Sequence, residues 1–182
     1  MSVLIPQCAS LLREAEEAFT KSLTYTRTLM VELSPPILQE DGFAIAVRWL
    51  GEQMQKYGLR VNIEAPKSPA LFLEEDQAVL LLQSVRELLI NIAKHARTDQ
   101  AIVKLRCQHG VLQVEVQDKG CGFDRLYAAT SVPTPTSSKF GLFSIDERMK
   151  ALGGSLKMVS VKGKGTTATL TLPLATPAGS QA

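Results

Sequence analysis

The stretch RELLINIAKHA, residues 86–96, sets an acid, an amide and a basic pair inside an otherwise apolar segment. On a helix, Glu87, Asn91 and His95 follow one another at intervals of four and form one slowly drifting polar line, with Lys94 beside its end. Such a line is either a solvated face, which amphipathic helices normally carry, or one wall of a polar site. Further along, QDKGCGFD places Asp118 at the end of a run of strand character, with Gly120 and Gly122 after it. That pattern makes a tight turn with a polar exit, or a place where backbone approaches a flat or anionic ligand while the carboxylate accepts from an exocyclic amine. KFGLFSIDER then puts Gly141 at an expected helix start, where free amide groups and the helix dipole favour phosphate. GKGTT adds a second glycine pair with a hydroxyl beside it. Each signal is weak alone; in this order they point together to a phosphate site.

Two common phosphate motifs do not account for it. GKGTTA fits G-x-G-x-x-A by letter, but the alternating strand TATLTLP follows it where the dinucleotide fold requires a helix. No G-x-x-x-x-G-K-[ST] occurs.

The elements that must position these residues follow from period and punctuation. Apolar residues from about Ser10 to Leu33 recur at helical intervals, and ELSPP closes that run. FAIAVRWLGEQMQKYG reads as a second helix, with Gly58 as its stop. The period then changes to two: LRVNIEA alternates as a strand, and LFLEED is expected to supply a short second one. Over residues 75–97, Leu81, Val85, Leu88 and Ile92, flanked by Leu82 and Leu89, form a strong apolar stripe on the helix that holds the polar line. QAIVKLRCQHGVLQVEVQDKG reads as a hairpin turning at His109-Gly110, which makes His109 an exposed turn residue. GLFSIDERMKALGG reads as a helix closed by Gly153 and Gly154, and SLKMVSVKGKGTTATLTLP as a last hairpin. Between the two hairpins' territories, residues 121–140 are rich in Ser, Thr and Pro, too long for a plain connection and therefore expected to be functional.

Bulk properties narrow the class further. Lys+Arg 20 against Asp+Glu 18 gives a net charge of +2, too balanced to draw nucleic acid or a bilayer by charge. No apolar run approaches the roughly 20 residues that span a membrane, so membrane contact by this chain is not expected. Cys8, Cys107 and Cys121 are odd in number and lack C-x-x-C spacing, which indicates neither a disulfide framework nor zinc, and a reducing cytoplasm is the expected compartment. The first dozen residues lack a basic leading region and carry Pro6, against a signal peptide.

The ordered motifs resemble the ATP-binding (GHKL) domain shared by sensor histidine kinases, gyrase and MutL. RELLINIAKHA resembles its N box, DKGCGFD its G1 box, KFGLFSIDER its G2 region, and GKGTT its closing glycine-threonine motif. LSPPILQEDGFAIAVRWL and the GLFSIDER helix are similar to two-component kinases with NarL- or DesK-like dimerisation helices. The resemblance implies an α/β two-layer sandwich of the Bergerat type, a mixed sheet packed under helices, preceded by an N-terminal helical segment. It implies ATP and Mg2+ as ligands. Asn91 would hold the metal, Lys94 and His95 would approach the phosphates, and Asp118 would accept from the adenine amine. Gly120 and Gly122 would admit the base, Thr166 would assist there, and residues 123–140 would form a lid hinged at Gly141 and Leu142. Glu87 matches the acid that activates water in gyrase-like ATPases and that orients the magnesium shell in kinases. Lys139 departs from the family pattern, which has a second glycine there, and so bears on the lid's geometry.

The implied organisation is residues 1–40 as the later part of a dimerisation and phosphotransfer region, 41–174 as the ATP-binding domain, and 175–182 as a disordered tail. No histidine precedes His95, so the phosphoacceptor helix is expected to lie outside this chain. The implied partners are a response-regulator receiver domain and, in the full-length protein, a second copy of itself. An anti-sigma-factor-type serine kinase and a non-catalytic ATP-dependent interaction module are the alternatives on the same fold.

Overall fold

A computed structural model of the chain describes Glu16, Phe19 and residues 36–65, 73–123 and 138–174. The chain divides into two compact units, Met1–Pro36 and Ile37–Ala182. Of the long helix expected in the first unit, only Glu16 and Phe19 are described, both helical and exposed. The rest of it lies outside the described residues, as do the tail expected over 175–182 and most of the expected lid.

From Pro36 onward the described elements are α1 (Pro36–Glu40), α2 (Phe43–Gln53) continued by a 3-10 turn (Met54–Tyr57), β1 (Arg60–Glu64), α3 (Glu75–His95), β2 (Gln100–Gln108), β3 (Val111–Asp118), α4 (Ser138–Ala151), β4 (Ser155–Val161) and β5 (Gly165–Pro173). Proline is favoured at a helix's first position because its missing N–H has no intrahelical partner there, so Pro36 opens α1. Gly58 closes the 3-10 turn in the left-handed conformation, as expected from its place after the apolar stripe.

The strands form one sheet in the order β1-β2-β3-β5-β4. β1 lies parallel to β2, and the remaining neighbours are antiparallel. A parallel neighbour needs a crossover, and α3 supplies it. The hairpin expected at His109-Gly110 forms with both residues at positive φ, 51° and 72°, the geometry whose twist matches a two-residue β-turn.

Alternate strand residues point to opposite faces. On the inner face Val103, Leu105, Leu112, Val114, Val116, Ala168, Leu170 and Leu172 are buried. They meet Leu81, Leu82, Val85, Leu88, Leu89 and Ile92 of α3, together with Val47 and Leu50 of α2 and Ile145 and Met149 of α4. The stripe read from the sequence of α3 is thus the face that enters the core. The opposite face of the sheet is wetter: Lys104 and Glu115 pair across β2 and β3 at 3.4 Å, and Lys157 and Val159 of β4 are exposed. This is the two-layer arrangement expected, with a mixed sheet under helices.

Two local expectations are corrected. LFLEED does not supply a strand over its described residues: Glu75 and Asp76 begin α3, and Glu74 caps it. The Glu74 N–H donates to Gln77 Oε1 at 3.2 Å while the Glu74 side chain accepts from the Gln77 N–H, a reciprocal capping box. Two acids in the first turn suit the positive end of the helix, and this outweighs the strand preference of Leu and Phe. Likewise Gly141 is not a helix start. Helix α4 begins at Ser138, three residues earlier, so Gly141 lies within its first turn.

Candidate functional site

A cavity of about 280 Å3 opens among α3, β3, β4, β5 and the start of α4. Its floor is the inner face of three neighbouring strands. Val116, Ala168 and Met158 stand in register across β3, β5 and β4, and one step toward the rim Asp118, Thr166 and Ser160 form the next row. Helix α3 contributes Leu88, Asn91, Ile92, His95 and Ala96 to one wall, and α4 contributes Leu142. The backbone leaving β3 closes another side with Cys121, Gly122 and Phe123. A mostly apolar slot with a few polar groups at fixed points suits a flat ring that carries its own hydrogen-bonding edge.

Asp118 is the polar anchor, only 5 % exposed. The Gly120 N–H donates to its Oδ1 at 2.7 Å, and both the N–H and the hydroxyl of Thr166 donate to the carboxylate as well. Burial pushes the carboxyl above the usual carboxylate range, and those three donors pull it back only in part. An ionised carboxylate offers about four acceptor positions. Asp118 also lines the cavity, where its carboxylate can accept from a donor arriving there.

The loop after β3 is held flat by close backbone contacts. The Cys121 N–H donates to the Ala96 carbonyl at 2.7 Å, and the Gly163 N–H donates to the Cys121 carbonyl at 2.7 Å. A Cβ at Gly120 would sit 2.1 Å from the Ala96 oxygen, and one at Gly122 would sit 2.1 Å from the Val161 oxygen. The spacing of these two glycines therefore reflects two separate protein carbonyls that the loop must pass.

At the other end of the cavity, the polar line of α3 meets α4. A Cβ on Gly141 would approach Glu87 Oε1 to 2.4 Å and Asn91 Nδ2 to 3.6 Å, so both head groups lie against this glycine. Asn91 Nδ2 is buried and, among the described residues, has no hydrogen-bond partner. A buried amide left unpaired costs free energy unless something completes it, which marks this end as a place for a polar ligand. Among the described residues no group of three or more His, Cys, Asp or Glu could hold a metal ion by itself. Mg2+ is commonly held by one or two protein oxygens plus substrate phosphates and water, and the Asn91 and Glu87 pair fits such a shared site.

The structure thus brings Asn91, His95, Asp118, Gly122, Leu142 and Thr166 to one cavity, places Gly120 on Asp118, and stacks Gly141 on Glu87 and Asn91. Lys94 is exposed on the outer side of the α3 terminus and does not line the cavity. His109 lies at the far end of β3 from Asp118, roughly 25 Å of strand away, exposed as expected. Sequence reasoning missed Ser160, Met158 and Cys121. Their signal was present only as an inward position on β4 and as the residue between two site glycines. Among the described residues no helix is long and apolar enough to cross a membrane.

Comparison with known proteins agrees with this geometry. Residues 76–176 match the family described as histidine kinase-, DNA gyrase B-, and HSP90-like ATPase. The chain is 31 % identical over 163 residues to the oxygen sensor histidine kinase NreB of Staphylococcus carnosus, covering 89 % of this chain and 45 % of that protein. It is 26 % identical over 162 residues to the sensor histidine kinase ComP of Bacillus subtilis, covering 88 % of this chain and 20 % of that protein. The chain therefore spans less than half the length of these relatives. In fold it is similar to the EL346 blue-light activated histidine kinase of Erythrobacter litoralis, with a TM-score of 0.64 and 19 % identity over 84 % of this chain and 50 % of that one. It is also similar to full-length ShkA solved with AMPPNP, with a TM-score of 0.61 and 18 % identity over 75 % of this chain and 31 % of that one. A buried acid on a strand row, facing an asparagine helix across one slot, is thus found in a sequence that the family pattern covers from α3 past the end of β5, and the chain belongs to the histidine kinase-, DNA gyrase B- and HSP90-like ATPase family.

Proposed function

We propose that this chain is the ATP-binding catalytic portion of a two-component sensor histidine kinase, which passes the ATP γ-phosphate to a histidine outside this chain and on to a response-regulator aspartate. The observation that carries the ATP reading is Asp118, a buried carboxylate lining the cavity that Asn91 also lines. Adenine would lie over Val116, Ala168 and Met158 with its amine on Asp118, and the triphosphate would run toward Glu87, Asn91 and His95. Mg2+, when bound, supplies charge neutralisation of the phosphates, with Asn91 holding it and Glu87 orienting its water shell. Gly141 lets the first turn of α4 come close to those head groups, and Leu142 covers the slot. The chain contributes positioning and electrostatics, which are the main means by which proteins accelerate phosphoryl transfer. The kinase reading, beyond ATP binding, is supported by the names of the relatives; the chain's own histidines are two. His95 is part of the binding helix, and His109 is exposed at a distant turn.

The test is radiolabelled ATP added to this chain alone and together with a separate helical segment carrying a phosphoacceptor histidine. No label is expected on the chain itself, and acid-labile, base-stable label is expected on the supplied histidine. Stable label at His95 or His109, or acid-stable label on a serine substrate, would reject the histidine-kinase assignment.

The raised pKa of Asp118 gives a second expectation. Its ionised form accepts the amine, so base recognition should fall as pH drops through a value above the usual carboxylate range. Stability runs the other way. The native state binds a proton that the unfolded chain releases, so the contribution of Asp118 to stability is present below the ordinary carboxylate range and is lost as pH rises through its raised value. Calorimetric titration of ATP across pH should show the decline in the wild type. The same series on Asp118→Ala should retain only the titration of ATP itself, and identical profiles would rule out Asp118 as the reader.

A further inference from the structure

Ser160 stands on β4 directly beside Thr166, which stands directly beside Asp118. Its hydroxyl lies 3.0 Å from the Thr166 hydroxyl and accepts from the Phe123 N–H at 2.9 Å. Each hydroxyl carries a single proton, and this fixes the direction of the bonds. An ionised carboxylate accepts only, so the Thr166 proton goes to Asp118, as the hydrogen bond between them requires. Thr166 Oγ1 must then accept from Ser160. The Ser160 proton has one other acceptor, the Gly165 carbonyl at 3.3 Å, longer than the 3.0 Å to Thr166. The result is a one-way chain running from the Phe123 N–H through Ser160 and Thr166 to Asp118. Successive bonds of this kind polarise one another in the same sense.

We propose that Ser160 is a positioning residue for base recognition: it commits the Thr166 hydroxyl to Asp118, ties the Phe123 backbone to the cavity wall, and so keeps the Asp118 carboxylate aimed at a ligand's exocyclic amine. The proposal rests on the ATP reading and adds a residue that touches neither base nor phosphate. Without the serine hydroxyl, Thr166 is free to turn, the Phe123 N–H loses its acceptor, and the carboxylate loses the far end of its support.

The experiment measures binding of ATP and of purine riboside triphosphate, which lacks the 6-amino group, to the wild type and to Ser160→Ala. The wild type should prefer ATP by about tenfold or more. Ser160→Ala should reduce that preference about three- to tenfold while binding of the amine-free analogue stays within about twofold. Ser160→Thr, which keeps the hydroxyl on a strand that favours β-branched residues, should restore most of the preference. If Ser160→Ala does not fold, Ser160→Cys, close in shape and a weak donor, carries the same comparison. A variant that keeps the wild-type preference, or that weakens both ligands equally, overturns the positioning role and leaves the ATP reading standing. A wild type that binds both nucleotides equally, or neither, overturns the two together.

Discussion

Replacing Asp118 by alanine is expected to weaken ATP binding about 10- to 100-fold, equivalent to about 1.5–3 kcal/mol, because a buried donor on the base loses a charged acceptor. The effect is large because the carboxylate is a buried, charged acceptor: Asp118 is only 5 % exposed. Calorimetry on the variant, with its folding checked by circular dichroism, decides the matter. Wild-type affinity in Asp118→Ala would remove the acid from base recognition. Asn91→Ala acts at the other end of the slot and should have a different signature. It removes the side-chain amide oxygen that would hold the metal, so binding should persist while its dependence on Mg2+ disappears. If wild-type affinity in EDTA already equals that in Mg2+, the metal assignment fails.

The second large effect is expected at Gly165. It adopts φ +92°, and a Cβ there would stand 2.1 Å from the Asp118 carbonyl oxygen and 2.8 Å from the Lys119 Cα. Both obstacles are backbone, so no side chain can swing aside. Left-handed backbone costs a residue with a Cβ about 1–2 kcal/mol, and overpacking adds about 1–3 kcal/mol, so Gly165→Ala should lose about 3 kcal/mol of stability. It should also lower ATP affinity, because relief requires β5 to draw away from Asp118. Gly163→Ala is the control: φ is +78°, but nothing lies within 4 Å of its added carbon. Only the backbone cost of about 1–2 kcal/mol applies there, and ATP binding should be unchanged. Urea unfolding of the two variants separates the cases. Equal losses would mean that the approach of the Asp118 carbonyl does not constrain this hairpin.

Much of this was legible in residue order. The stripe of α3, the polar line on its other side, the two hairpins and the acid at the end of β3 each rest on a periodicity of 3.6 or 2, which a single sequence displays directly. What escaped lies across strands or at boundaries. Ser160 was unreadable because its meaning comes from a register pairing with Thr166 and, through it, with Asp118 on a third strand. Met158 and Val116 escaped because the cavity floor continues the apolar core face, so period alone does not set them apart. LFLEED misled because its acids belong to a capping box, a contact between residues three apart that competes with strand alternation. The start of α4 depended on which residue first escapes the prolines, a local balance that pattern reading resolves only to a few residues.

The sheet order also dictates when the site can come into being. The β2–β3 and β4–β5 hairpins join strands close in sequence and can close early, since short loops cost little entropy. Asp118 and Thr166 meet only when β3 docks on β5, and the chain between them contains all of α4 and β4. That seam joins residues far apart in sequence, through the β3–β5 pairing and the packing of α4 against α3. A nucleotide bridging β3, β5 and α3 would act as a clamp across the seam. The last part of the chain to come together is then the part the ligand stabilises most.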